Sequence, residues 1–155
     1  MIYLIHALVG GLIGGYVNSV PAVIILAVLS HFLLDMLPHW DGPYNKPYFE
    51  KTGKLRAHKA MYYIETFDFI IAAISVIIFA QVFPMMSGKM ITLGVVSSLA
   101  PDIIKLGYFS PLRDQKLYMG YLKFHSKIQN EVSWKKGIAV QLILLAAILI
   151  LIHFL

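Results

Sequence analysis

The chain has no cysteine. That excludes disulfide stapling and thiolate ligands, so any metal must be held by His, Asp, Glu or water. Charge is scarce as well: Asp, Glu, Lys and Arg make up 14% of the 155 residues, against about 25% in a soluble domain. Hydrophobic residues make up 59% and the mean hydropathy is +0.74. These values exclude a disordered tail and a basic nucleic-acid arm. So small a body cannot hide that much apolar surface from water. The composition therefore predicts one all-α, membrane-embedded domain over residues 1–155, with membrane lipid as its surroundings and no nucleic-acid partner.

Five apolar stretches are present, at Ile2–Val17, Val20–Leu37, Tyr62–Phe83, Met90–Phe109 and Gly137–Leu155. Most approach the roughly 20 residues that cross a bilayer as helix, which predicts a bundle of about five helices. Gly10, Gly11, Gly14 and Gly15 form two overlapping GxxxG pairs in the first stretch, a pattern for close helix contact. Asn18, Ser19 and Pro21 read as a tight turn into the second stretch. No Lys or Arg precedes the first run, so a cleaved signal peptide is not expected. Ser110-Pro111 reads as a cap and first turn, followed by Leu117, Tyr121, Phe124 and Ile128 at helical spacing. That segment predicts an amphipathic helix at the cytoplasmic interface.

Charge orients the bundle. Across five spans, the segments at 38–61 and 110–136 share one side with the N-terminus. They hold eleven Lys and Arg, against only Lys89 on the other side and Lys105 within a span. The positive-inside rule then puts the N-terminus in the cytoplasm and the C-terminus outside, in an inner or cytoplasmic membrane. Trp40, Tyr44, Trp134 and neighbouring aromatics read as an interfacial belt.

The informative residues are polar groups where lipid should be. Asp35, Glu65, Asp68, Asp102, His6 and His31 all fall in apolar stretches. A charge at mid-bilayer costs roughly 2.5–3.5 kcal/mol on insertion scales. Four spans deliver these groups to one depth, near the cytoplasmic face. His31 and Asp35 are four apart, hence on one helix face. Pro38 ends that helix and lets His39 and Asp41 fold back. Imidazole with carboxylate suits a divalent metal, zinc first and manganese or iron next. His6, His31, Asp35, Asp68 and Asp102 are the expected ligands, with Asp41 and His125 as possible additions. Glu65 and His39 are the expected catalytic groups. The plainer readings are a buried His31–Asp35 hydrogen bond, an Asp102–Lys105 ion pair, and loop roles for His39 and Asp41; His58 and His153 read as bystanders.

His6 ahead of Gly10–Gly15, Ser30-His31 with Asp35, and Pro101-Asp102 together resemble the predicted inner-membrane metal-dependent hydrolases, a family of multi-span proteins distantly similar to zinc-dependent phospholipases C. The resemblance implies a helical metal site and hydrolysis of a phosphoester. The chain departs from the family pattern at Ile103-Ile104-Lys105, where an Asp-His is usual, and at Phe124-His125-Ser126, where Thr-His-Ser is usual. Those departures imply fewer metals or an idle site. Bound zinc brings the pKa of its water to about 7, and the basic rim of Lys46, Lys51, Lys54, Arg56, Arg113, Lys116 and Lys123 would draw an anionic phosphoester such as a phospholipid head group. The alternatives are a transporter or proton relay built from the same acids and histidines, and a non-catalytic scaffold.

Overall fold

The computed structural model describes residues 1–56, 58–83 and 85–154, and among them every regular element is helical. The helices are α1 (Tyr3–Tyr16), α2 (Val20–Asp35), α3 (Lys46–Thr52), α4 (Lys59–Val82), α5 (Gly88–Lys105), α6 (Lys116–Ile128) and α7 (Trp134–His153). The five apolar stretches become α1, α2, α4, α5 and α7; Leu155, the last residue of the fifth, lies outside the described residues.

Three helices are long and apolar enough to cross a membrane: α4, α5 with the 3₁₀ turn that extends it to Phe109, and α7. The other two fall short. With 14 and 16 residues, α1 and α2 run about 21 and 24 Å at 1.5 Å per residue, below the roughly 30 Å of a hydrocarbon core. Membrane-length helices thus number three rather than five among the described residues.

Two local expectations shift. Ser110 does cap, but its hydroxyl accepts from Leu112 N–H and starts a 3₁₀ turn, Pro111–Asp114. Backbone straightens at Gln115, and α6 begins only at Lys116. The segment at 38–61, for which the sequence named no helix, also contains α3. There the Asn45 side chain accepts Tyr48 N–H, Pro47 fits the first turn, and Gly53 at φ 70° ends the helix, a conformation that costs glycine little.

Helix α1 is the hub. It packs on α5, α4, α2 and α7, while α2 also packs on α5. The glycines explain the closest of these contacts. A Cβ on Gly10 would collide with the Gly94 carbonyl oxygen, and one on Gly14 or Gly94 would strike the facing backbone. Only hydrogen at these positions lets the α1 and α5 backbones touch. Gly11 differs, because a Cβ there would meet Val95 and Ile91 at ordinary contact distance. On one flank of α1, Ala7 packs with Ala72, Phe79, Ile91, Val95 and Leu99. On the other flank, Ile5 and Leu8 pack with Ile148.

Large apolar side chains also face outward, Tyr63, Phe67 and Ile143 among them. Only 11% of the apolar window of α4 and 17% of that of α7 is buried inside the protein. Apolar surface on this scale needs a partner other than water. Helix α6 follows the same logic: Leu122, His125 and Ser126 turn inward, while Leu117 is 89% exposed and Phe124 faces out.

The close approach of α1 and α5 makes a sharp contrast between neighbouring glycines. Gly10→Val or Gly94→Val forces the backbones apart at an overpacking cost of about 1–3 kcal/mol or more. Purified protein should then lose its monodisperse peak in detergent size-exclusion chromatography, whereas Gly11→Ala should elute and melt like the wild type.

Candidate metal centre

The site forms at the bundle end where α2 finishes, α4 and α7 start, and α1 begins. Long-range hydrogen bonds tie these ends together. Asp68 of α4 accepts Tyr3 N–H at 2.5 Å and Leu4 N–H at 3.3 Å, and Gln141 of α7 accepts Ile2 N–H at 3.1 Å. Asn130 N–H donates to the Asp35 carbonyl at 2.9 Å, which draws the end of α6 onto the end of α2.

Four buried side chains from three further elements converge here: His31 and Asp35 of α2, Asp102 of α5 and His125 of α6. Each offers one ligand atom, and those atoms all lie within 4.8 Å of one another. His31 Nε2 is 3.0 Å from His125 Nε2, 3.4 Å from Asp35 Oδ2 and 3.7 Å from Asp102 Oδ1. His125 Nε2 is 3.6 Å from Asp35 Oδ2 and 3.7 Å from Asp102 Oδ1. Ligand bonds of 2.0–2.1 Å around a tetrahedral ion imply donor separations of about 3.3 Å. The observed spread brackets that figure, so the group could hold a metal ion.

Hydrogen bonding supports the fit. His31 Nδ1 lies 2.8 Å from the Ser98 carbonyl; a carbonyl can only accept, so Nδ1 carries a proton and donates it there, and Nε2 is the nitrogen aimed at the cluster. Asp35 Oδ2 and Asp102 Oδ1 are buried and make no well-aligned hydrogen bond, and neither does His125 Nδ1. Buried polar atoms usually find partners; Asp35 Oδ2 has none among the described residues, Asp102 Oδ1 has only the unaligned Lys105 ammonium, and a cation between the two oxygens would satisfy both. Burial, followed by the nearby Lys105 ammonium, lowers His125 to about 3, so its imidazole is neutral and able to ligate. Lys105 Nζ sits 2.5 Å from Asp102 Oδ1, outside hydrogen-bond alignment. The expected Asp102–Lys105 ion pair therefore forms alongside the cluster.

The remaining candidates surround this group. His6 is fully buried, stacks on His31 with ring centroids 4.1 Å apart, and brings Nε2 to 3.2 Å from the other Asp35 oxygen. Neither ring nitrogen of His6 has a hydrogen-bond partner among the described residues, and it borders the four-residue group without belonging to it. Asp41 accepts from the Met1 amino group and from Gln129 Nε2, each at 2.5 Å, and lies 3.1 Å from His39 Nε2. Burial pushes its carboxyl up, but the Met1 ammonium and His39 outweigh this and hold it well below the usual carboxylate range. His39 is locked by its Nδ1 bond to the Leu37 carbonyl at 2.7 Å and by backbone bonds to Asn130 and Val132. Asp68 is not in the four-residue group: both its oxygens cap α1. Glu65 lines a cavity of about 380 Å³ beside the cluster, together with Lys105, Asp102, His125, Ile64 and Leu142.

Sequence reasoning missed three contributors. Ser98 orients His31 through its carbonyl and bonds the His6 carbonyl through its hydroxyl at 2.8 Å. The Met1 amino group lies 3.0 Å from Asp35, and Gln129 fastens Asp41. Nothing in residue type marked them, although Ser98 falls four residues before Asp102, on the same face of α5. The bystander reading of His58 fits its local role, a side-chain cap on Ala60 N–H at 3.2 Å.

Fold and site together define an all-helical protein with three membrane-length helices and a buried His/Asp group that could hold a metal. Comparison of the chain with protein-family models, with curated proteins and with solved structures gives no match in any of the three.

Asp68 provides a check on this arrangement. Asp68→Ala removes the cap of α1, a loss of about 1 kcal/mol that should lower the melting temperature by about 2–4 °C. Metal content by elemental analysis should match the wild type. A parallel loss of metal would return Asp68 to the ligand set.

Proposed function

We propose that the chain is a membrane-embedded, metal-dependent hydrolase that cleaves a phosphoester, with a phospholipid head group as substrate, at the cytoplasmic leaflet. The observation that carries this reading is the buried two-imidazole, two-carboxylate cluster at the wall of a cavity that also holds a lysine and a free carboxylate. The proposal agrees with the resemblance to inner-membrane metal-dependent hydrolases noted from the motifs.

His31, Asp35, Asp102 and His125 would hold the metal, and nitrogen with carboxylate oxygen suits zinc, with manganese or iron as alternatives. When bound, such an ion supplies Lewis acidity toward a phosphoryl oxygen and makes water acidic enough to react near neutral pH. Other residues of the chain divide the remaining work. Glu65, which also lines the cavity, takes a proton from the attacking water. The Lys105 ammonium offsets negative charge on the phosphoryl oxygens. The Ser98 carbonyl holds His31 in the ligating tautomer, and Ile64 and Leu142 keep bulk water sparse. His39, by contrast, is so fully tied into the loop that its role is to hold Asp41.

Orientation follows from the same reading. The site end carries eleven of the thirteen Lys and Arg, which supports placing it in the cytoplasm. Some of that rim is already engaged: Lys46 Nζ donates to the Gln129 carbonyl at 2.5 Å and Arg56 stacks over Tyr48 at 4.6 Å.

The test is turnover. Protein reconstituted in phosphatidylglycerol vesicles and loaded with zinc or manganese should release a phosphorus-containing product detectable by ³¹P NMR. Chelation should abolish the signal, and His31→Ala should reduce it by more than about 100-fold. Lys105→Met should retain metal yet lose about 10-fold or more in kcat/KM, the range for removing one charge-stabilising donor being 10²–10³ at the upper end. No release under any metal condition would remove the hydrolase reading.

A further inference from the structure

Helices α4 and α7 both rest on α1 but scarcely meet each other. A second cavity of about 260 Å³ lies between them, floored by Leu4 and Leu8 of α1 and walled by apolar side chains of the two long helices. Its lining includes Ser75 and Ile78 on α4 and Leu145 and Leu149 on α7. The cavity at the metal cluster, which has charged side chains in its wall, is lined by Ile64 and Asp68 of the same α4 and by Ile138 and Leu142 of the same α7.

The register of these residues aligns the two spaces. On α7, Ile138, Leu142, Leu145, Leu149 and Ile152 recur at three- and four-residue steps, so they share one face. On α4, Asp68, Ser75 and Val82 recur at seven-residue steps, again one face. At 1.5 Å per residue the distance from Asp68 to Val82 is about 21 Å. The second cavity is therefore an apolar furrow that lies in line with the first, along the same faces of α4 and α7, between two helices whose outer surfaces are apolar.

We infer that this furrow is the seat of the substrate's acyl chain, with the lipid phosphate at Lys105 and the tail lying over Leu4 and Leu8. The inference rests on the hydrolase reading for what happens at the head group, and on separate observations for the tail. Charge distinguishes the two ends. Around the cavity stand Lys105, Glu65, Asp41 and Asp102, whereas the lining of the furrow contains no ionisable side chain and a single hydroxyl, that of Ser75. An amphiphile with an anionic head and an apolar tail matches that polarity, and a free phosphate or a soluble phosphoester would leave the furrow unfilled. The furrow also opens sideways, between helices that a bilayer would surround, so a lipid enters without leaving the apolar phase.

Photolabelling tests this without relying on turnover. The full chain is reconstituted in phosphatidylcholine vesicles containing phosphatidylglycerol with a diazirine near the acyl terminus, irradiated, and mapped by mass spectrometry. Labels should concentrate on Ser75, Leu145 and Leu149, several-fold above the outward-facing Ile25, Leu29 and Leu33 of α2. The double variant Ser75→Phe with Leu149→Phe should reduce that labelling and lower the preference for long-chain over short-chain water-soluble phosphodiester. Uniform labelling, or labelling unchanged by the double variant, overturns the acyl seat even if hydrolysis is observed. Furrow labelling with no hydrolysis of either substrate supports the seat and overturns the hydrolase reading.

Discussion

Two carboxylates buried a few ångströms apart beside imidazoles are the constraint to which the rest of the molecule answers. Taking a carboxylate out of water costs several kcal/mol even after relaxation, and two facing each other add repulsion. Cations must therefore be close. The Lys105 ammonium on Asp102 and the Met1 amino group on Asp35 supply part of that compensation. Yet Asp35 Oδ2 and Asp102 Oδ1 still lack aligned donors, and both border the point at which His31 and His125 turn their Nε2 atoms. A divalent ion there would complete the neutralisation. Packing serves the same end: glycine contacts bring α1 onto α5, and this stacks His6 against His31 and sets Ser98 beneath its ring.

Polarity is distributed one-sidedly along the bundle. Away from the site, α1 and its neighbours bury Leu8, Phe79, Ile91 and Val95, none of which can pass a proton or hold an ion. A relay across the membrane would need titratable groups along that length. Concentration at one end, next to an apolar furrow, suits chemistry on an amphiphile held at the interface. The short helices α1 and α2 carry His6, His31 and Asp35 to the same end of the bundle.

Much of this was legible in the chain. The apolar runs marked α1, α2, α4, α5 and α7, and the GxxxG pattern marked the α1–α5 contact at Gly10 and Gly14. Four-residue spacing of His31 and Asp35 put both into the centre, and Asp102 was recognisable as an acid with no reason to be in lipid. Other residues were not, for physical reasons. Asp68 carries the same intramembrane signal as Asp102, but helical spacing within α4 says nothing about which neighbouring helix its carboxylate will meet; it meets the bare N–H groups of α1. His125 stood only as a possible addition, because on an amphipathic helix at the interface a solvated histidine is as plausible as a ligand; in the fold Leu117 and Phe124 face out and the histidine turns in. Helix α3 was hidden in a polar segment because its existence depends on the Asn45 cap and on Gly53, not on apolar periodicity. Glu65 kept its place at the cavity, and His39 was drawn into the loop with Asn130.

The measurement that bears most directly on the metal centre is elemental analysis of detergent-purified full-length protein, comparing the wild type with Asp35→Ala and His125→Ala. A near-stoichiometric transition metal in the wild type, lost from both variants while their elution profile is unchanged, is the expected result. The same negligible metal in all three proteins, or metal retained when either ligand is removed, would contradict a cation shared by α2, α5 and α6.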